Sequence, residues 1–197
     1  VSGPRQAQRR ARVIGVVASA GGPGALASVI ERLPPGKFAP LLIVQHVAKG
    51  FAEGLARWLS ATGNPVVVAE HGVVPERGHA YIAPDDRHLG LALDGTISIS
   101  EAPPVGLFRP SCTWMLSSLA RALGPDAGAI VLTGMGVDGA AGALEVRRAG
   151  GDVVAQDEAS SVVFGMPQAA IALGATDEVL PLVDIAQWIV DKSTVIR

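Results

Sequence analysis

Short runs of apolar residues alternate along the chain with longer segments whose apolar residues recur three or four positions apart. The short runs predict strands over Val13–Ala18, Leu41–Gln45, Val66–Ala69, Ala129–Thr133 and Val153–Gln156. The longer segments predict helices over Gly24–Leu33, Ala52–Ala61, Pro110–Leu123, Gly139–Ala149, Pro167–Leu173 and Val183–Asp191. The second of these helices has one apolar side, formed by Leu55, Trp58 and Leu59. This alternation is typical of βαβ units around a mainly parallel sheet.

The segment from His79 to Glu101 departs from that alternation. Its apolar runs are short, and Asp94-Gly95 favours a tight turn, so we expect an antiparallel excursion here. The predicted fold class is therefore α/β. It is a doubly wound, mainly parallel sheet with helices on both faces and an antiparallel hairpin excursion.

Composition indicates one folded unit and excludes some partners. The 197 residues are 49% hydrophobic, which is enough for a core covered on both sides. A net charge of −2 gives no general attraction to nucleic acid or to an anionic membrane, so we predict neither as a partner. Cys112 is the single cysteine and cannot form an internal disulfide, which fits a reducing compartment. We expect a cytoplasmic protein.

The start of the chain resembles a secretory signal, because arginines precede the uncharged segment Val13–Ile30. The apolar run before Ser19 is shorter than the roughly 7–15 residues of such a signal, and glycines and Pro23 interrupt the segment after it. The same interruptions exclude a membrane span, which needs ~20 apolar residues. We therefore assign residues 1–12 to a basic tail or linker and residues 13–197 to one domain.

Polar residues of complementary chemistry follow three of the predicted strands. Ser19 follows the first strand, His46 the second, and Asp138 the strand over Ala129–Thr133. In an open parallel sheet, catalytic groups gather beyond the carboxyl ends of the strands. A serine hydroxyl needs a base, and an imidazole base needs a carboxylate that fixes its tautomer. The three residues are therefore the set required for serine acyl transfer.

Each of the three residues also has a purely structural interpretation. Ser19 can line a glycine turn or cap the next helix, His46 can be a surface loop residue, and Asp138 stands where a helix N-cap belongs. The chain order differs from that of the α/β-hydrolases, and the G-x-S-x-G motif is absent. Only geometry can decide between these interpretations.

Three further features suggest other chemistry. The glycines of Gly21–Gly24 can form a phosphate or dinucleotide site at a helix N-terminus, although SAGGPG does not match G-x-G-x-x-G. The spacing of Asp85, Asp86 and His88 suggests a metal site, but a turn with solvated carboxylates is the favoured interpretation. Cys112 can be considered as a nucleophile, but its place in the first turn of a helix favours a packed small residue.

Five motifs resemble, in chain order, those of the bacterial chemotaxis protein-glutamate methylesterases, the CheB type. They are IVQHVAKGF at Ile43–Phe51, GHAYIAPDDRHL at Gly78–Leu89, RPSCTWML at Arg109–Leu116, LTGMGVDGAAG at Leu132–Gly142 and AQDEASSVVFGMPQAAI at Ala155–Ile171. The resemblance extends from about Val13 to Leu182.

This resemblance implies a serine hydrolase that demethylates glutamate γ-methyl esters, and deamidates glutamines, on the cytoplasmic helices of chemoreceptors, without a metal or organic cofactor. The family's catalytic serine, histidine and aspartate correspond to Ser19, His46 and Asp138. Its oxyanion donors correspond to the backbone amides of Ala20 and Met135. Members usually carry an upstream receiver domain, and the residues before Val13 are too few for one, so we expect a catalytic edge open to solvent.

The sequence departs from the family pattern beside two of these residues. Val17 stands where the family commonly has glycine, and Val47-Ala48 replaces the usual Met-Pro. We expect these changes to affect how the substrate fits more than how the reaction proceeds, because Ser19, His46 and Asp138 are all present. Two alternatives remain, a nucleotide- or phosphate-binding module and a family member repurposed as an interaction module.

Overall fold

The structure, a computed structural model, describes residues 13–193. The strands within these residues are β1 (Val13–Ala18), β2 (Leu41–Gln45), β3 (Val66–Val68), β4 (Ala80–Ile82), β5 (His88–Leu91), β6 (Ile97–Ser100), β7 (Ala127–Val131), β8 (Asp152–Gln156) and β9 (Glu178–Leu180). The α-helices are α1 (Gly22–Arg32), α2 (Ala52–Ser60), α3 (Cys112–Leu123), α4 (Ala140–Arg148), α5 (Gly165–Ala172) and α6 (Leu182–Ser193).

Seven of these strands form one sheet in the order β3-β4-β2-β1-β7-β8-β9, and every pairing in it is parallel. β5 and β6 form a separate antiparallel hairpin. β1 is central and buried along its whole length, as expected for a strand covered on both faces. The predicted fold class is confirmed.

Helices cover both faces of the sheet and bury two apolar layers. One layer joins the sheet to α1, α2 and α6 and includes Leu26, Leu59 and Ile189. The other joins it to α3, α4, α5 and the hairpin, and includes Leu116 and Val146. Each parallel strand therefore ends at the same edge of the sheet, where its loop leads on to the next element.

The antiparallel excursion begins later in the chain than predicted. The hairpin turn lies at Asp94-Gly95 as expected, and the Asp94 carboxylate accepts a hydrogen bond from the Thr96 amide at 3.0 Å. β4, however, lies in the parallel sheet between β3 and β2, so its assignment to the excursion was wrong. No helix separates β3 from β4, and the βαβ alternation therefore carried no signal for this strand. β9 was missed because it is a three-residue edge strand with exposed side chains.

Several element boundaries also differ from the prediction. α1 begins at Gly22, two residues early, because Gly21 takes the left-handed conformation with φ 79° and starts the helix there. β7 begins at Ala127 and ends at Val131, each two residues earlier than predicted, and it pairs with residues 13–17 of β1 along its whole length. Trp58 is 51% exposed, which corrects its grouping with the two leucines of α2. The buried stripe of α2 consists of Ala52, Leu55, Ala56 and Leu59, at helical spacing.

No helix within residues 13–193 is long and apolar enough to cross a membrane. The basic segment at residues 1–12 lies outside the described residues. Its assignment as a tail or linker, and the domain boundary at residue 13, remain predictions.

Candidate active site

Ser19 and His46 lie side by side at the carboxyl ends of the neighbouring strands β1 and β2. The strand register pairs Ala18 with Gln45, and the His46 amide donates to the Ala18 carbonyl at 3.0 Å. The Gln45 side-chain amide donates to the carbonyls of Ser19 at 2.8 Å and of His46 at 3.0 Å. Gln45 is buried, so these bonds fix the two strand ends relative to each other. Ser19 does not cap α1, because Gly21 is the N-cap, but its carbonyl closes the glycine turn by accepting from the Gly22 amide at 2.8 Å. His46 is not a freely exposed loop residue, because its side chain is only 13% exposed.

Asp138 reaches His46 from the loop between β7 and α4. Its Oδ2 atom lies 3.0 Å from Nε2 of His46, and the Asp138 side chain is 7% exposed. Asp138 does not cap α4, because Gly139 occupies the N-cap position without a side-chain bond. The structure thus brings together His46 and Asp138, which are 92 positions apart in the sequence.

The N-terminus of α3 holds the Asp138 carboxylate. The Ser111 hydroxyl donates to Oδ1 at 2.9 Å, the Cys112 amide to Oδ2 at 2.7 Å, and the Thr113 amide to Oδ1 at 3.0 Å. Burial alone raises the pKa of Asp138, but the hydrogen bonds from His46 and from these two backbone amides outweigh it and hold the pKa well below its usual value. Asp138 is therefore ionised at neutral pH, at the positive end of a helix.

The ionised carboxylate determines the tautomer of His46. A carboxylate only accepts hydrogen bonds, so Nε2 of His46 must carry the proton and donate to Asp138. Nδ1 then carries the lone pair, and this buried atom has no hydrogen-bond partner within residues 13–193. The Ser19 hydroxyl does not bond to this nitrogen either, so the role of Nδ1 as a base for Ser19 remains a prediction.

The loop after β7 also approaches Ser19. The Ser19 amide donates to the Thr133 carbonyl at 3.1 Å, and the Thr133 hydroxyl donates to the Ala20 carbonyl at 2.9 Å. A Cβ atom on Gly134 would lie 2.9 Å from Cβ of Ser19, so only glycine permits this approach. In the part of the chain that the structure describes, the amides of Ala20 and Met135 donate to no acceptor. Both residues are exposed, and the expectation that their amides form an oxyanion hole remains a prediction.

The sequence analysis missed two contributors to this arrangement. Ser111 was predicted only as a helix start, and nothing in its spacing indicated a bond to Asp138. Phe108 was not singled out, yet its ring stacks on the imidazole of His46 with centroids 4.2 Å apart and planes inclined by 2°. The position of Phe108 directly before the Arg-Pro-Ser motif was the available signal.

The donor atoms of His46, Cys112 and Asp138 lie within 4.8 Å of one another, close enough to suggest a metal. Sγ of Cys112 is 3.5 Å from Nε2 of His46. Burial, and then the charge of Asp138, raise the pKa of the Cys112 thiol well above its usual value, whereas a metal ligand must be a thiolate. Both Asp138 oxygens already accept hydrogen bonds, so this donor set favours proton transfer over metal binding.

The residues Asp85, Asp86 and His88 do not form a metal site. Nδ1 of His88 accepts from the Ser111 amide at 3.2 Å, and Nε2 lies 3.1 Å from the Pro103 carbonyl, so both ring nitrogens are engaged. Asp86 is paired with Arg109 at 2.8 Å, and hydrogen bonding to Arg109 lowers the pKa of this carboxyl. The sequence analysis expected solvated carboxylates in this turn and missed the ion pair between Asp86 and Arg109.

Comparison with known proteins agrees with this geometry. The family model described as CheB methylesterase matches residues 14–189. The chain is 51% identical over 178 residues to protein-glutamate methylesterase/protein-glutamine glutaminase 4 of Myxococcus xanthus, covering 90% of the chain and 50% of that protein. It is 44% identical to the protein-glutamate methylesterase FrzG of the same organism, covering 94% and 59%. The chain thus spans about half the length of the curated relatives it matches.

A solved structure is also similar. The crystal structure of the Thermotoga maritima CheB methylesterase catalytic domain superposes with a TM-score of 0.88 at 37% identity. The match covers 92% of this chain and 98% of that one.

Proposed function

The chain belongs to the CheB methylesterase family, and on that premise we propose that it is a serine hydrolase that removes methyl groups from glutamate γ-methyl esters on the cytoplasmic helices of chemoreceptor-like proteins. The observation that carries the proposal is the His46–Asp138 pair beside Ser19. Its unpaired ring nitrogen is the base that ester attack by a serine requires.

In the proposed reaction, Ser19 is the nucleophile. Nδ1 of His46 takes the hydroxyl proton as the serine oxygen bonds to the ester carbonyl carbon, and Asp138 stabilises the imidazolium. The amides of Ala20 and Met135 bind the oxyanion, a contribution of roughly 3–4 kcal/mol where such a hole is well formed. His46 then passes the proton to the leaving methoxide and releases methanol. Water activated by the same nitrogen hydrolyses the acyl-enzyme to glutamate.

The same attack on a side-chain amide releases ammonia in place of methanol. The names of several relatives include a protein-glutamine glutaminase activity, and we propose glutamine deamidation as a second activity of this chain. Neither reaction needs more than proton transfer and oxyanion binding, so we propose that no metal or organic cofactor takes part.

Exposed apolar side chains around the site support a protein substrate. Val47 adjoins His46, Met135 and Val137 belong to the Asp138 loop, and Val162 lies against the turn at Gly21. Apolar side chains gathered at one place on a surface are typical of a protein-binding site.

The two alternative functions explain fewer of the observations. A phosphate- or nucleotide-binding module has a role for the start of α1 but none for the His46–Asp138 pair. A repurposed interaction module has no need of a buried, ionised Asp138 held by four hydrogen bonds.

Methanol release from a methylated receptor fragment tests the proposal. We expect Ser19→Ala to reduce the rate by several orders of magnitude, because the acyl-enzyme cannot form. Ser28→Ala is the matched control, since Ser28 lies on α1 and bonds only to Arg32 among the described contacts. Unchanged release by Ser19→Ala, or an equal loss in Ser28→Ala, would overturn the assignment.

A further inference from the structure

Phe108 covers one face of the His46 imidazole. The two rings are parallel within 2°, with centroids 4.2 Å apart. His46 is thus fixed on two sides, at its edge by Asp138 and on its face by Phe108. A hydrogen bond at Nε2 alone leaves the ring free to rotate about that bond, whereas a stacked neighbour fixes the plane of the ring.

The backbone around Phe108 holds the aromatic ring in place from both sides. Before it, Phe108 and Val105 exchange two backbone hydrogen bonds of 3.1 Å each, which closes a tight turn. After it, Arg109 is anchored to the Asp86 carboxylate at 2.8 Å and to the Glu101 carbonyl at 3.2 Å. Such fixation is what a group must have if it is to orient another side chain.

The stack also fits the charge that His46 acquires during the proposed reaction. When Nδ1 takes the serine proton, the ring becomes an imidazolium, and the negative face of an aromatic ring attracts a cation. The contact is therefore stronger in the transition state than in the resting enzyme, which is the condition for raising kcat.

We propose that Phe108 is a positioning residue that orients the His46 ring for proton transfer and stabilises its charged form. This proposal rests on the proposed function, in which His46 is the base. Phe108 does not contact the reacting atoms in this role. Its effect passes entirely through His46, so its loss lowers kcat and leaves substrate binding intact.

Three variants test the role of Phe108. Phe108→Leu keeps an apolar side chain but removes the aromatic face, whereas Phe108→Tyr retains that face. Leu107→Ala is the matched control, because Leu107 lies in the same turn and is 92% exposed. We expect Phe108→Leu to lower kcat about tenfold with KM within about twofold of wild type, since misorientation of a catalytic group acts on the transition state. Phe108→Tyr should retain nearly the wild-type kcat, and Leu107→Ala should leave kcat unchanged.

A second readout separates this proposal from the proposed function. The rate at which a serine-directed fluorophosphonate labels Ser19 reports activation of the hydroxyl without any receptor substrate, and Phe108→Leu should slow it as it slows kcat. If wild type is labelled at Ser19 but releases no methanol, the methylesterase proposal fails while the labelling rates still test Phe108. A change in KM alone, or equal impairment by Phe108→Tyr and Phe108→Leu, would overturn the positioning role.

The ring protons of His46 give a readout that needs no catalysis. They lie over the face of Phe108, so ring-current shielding moves their NMR signals upfield in wild type and in Phe108→Tyr. Phe108→Leu should move them downfield. Signals that stay in place in that variant would show that the stack does not hold His46, and would equally overturn the proposal.

Discussion

At the scale of single residues, the proposed chemistry depends on a buried carboxylate that stays charged. Asp138 receives four hydrogen bonds, three of them from the first residues of α3 and its cap and one from His46. These bonds compensate the loss of water around the charge. The ionised state in turn fixes the proton of His46 on Nε2 and leaves Nδ1 as the proposed base.

Replacement of Asp138 by asparagine should have a pH-dependent effect on stability. A carboxyl group whose pKa is lower in the folded protein contributes stability above its unfolded pKa of about 3.9, and loses that contribution as the pH falls through the folded pKa. The free energy of unfolding of wild type minus that of Asp138→Asn should therefore be constant above about pH 5 and shrink progressively as the pH falls from about 5 to about 3 and below. Urea unfolding at a series of pH values measures this difference. A difference that stays constant across the range contradicts the account of Asp138.

The order of apolar and polar residues in the sequence predicted where part of the candidate site lies. Ser19, His46 and Asp138 were identifiable because each follows a strand end, and a parallel sheet brings such residues to one edge. Phe108 and Ser111 were not identifiable in this way. Their roles depend on how the loop before α3 crosses the sheet edge, and that path leaves no periodic signal in the sequence.

At the scale of elements, the N-terminus of α3 has two functions. Ser111 caps the helix by accepting from the Trp114 amide at 3.2 Å, and its hydroxyl also donates to Asp138. One side chain therefore joins the start of a helix to the Asp138 carboxylate. The helix contributes its backbone amides and the positive end of its dipole to the same anion.

Ser111→Ala should consequently lower both stability and activity. Loss of the cap costs about 1 kcal/mol of unfolding free energy, and loss of the bond to Asp138 should lower kcat about tenfold because His46 is then less well oriented. Ser118→Ala is the control, since Ser118 is a buried serine on the same helix whose hydroxyl bonds to Met115 and Leu91. It should lose stability but retain kcat. If the two variants have the same kcat at equal loss of stability, Ser111 is only a cap.

Elements that follow the βαβ alternation were predicted within about two residues, and those outside it were not. β1 and β2 were placed at their observed bounds because each is a buried apolar run followed by a helix. β4 and β9 are three residues long, and no helix precedes β4 to mark it as a parallel strand. Only their hydrogen bonds to longer neighbours make these segments strands.

At the scale of the whole molecule, the candidate site lies where the winding of the sheet reverses. From central β1 the chain continues to β2 on one side, and it returns to β7 on the other. The loops after these three strands carry Ser19, His46 and Asp138, and the N-terminus of α3 lies at the same edge. Three segments distant in sequence therefore meet at one place, as ligand sites in doubly wound sheets do.

The central claim is that Ser19 forms the acyl-enzyme, and trapping that intermediate tests it most directly. A methylated receptor peptide is mixed with the enzyme, the reaction is quenched in acid during turnover, and peptide mapping by mass spectrometry locates the adduct. The account predicts a mass gain equal to the peptide minus methanol, on the fragment that contains Ser19, and no adduct in Ser19→Ala. Turnover with no adduct on Ser19, or an adduct on another residue that persists in Ser19→Ala, would contradict it.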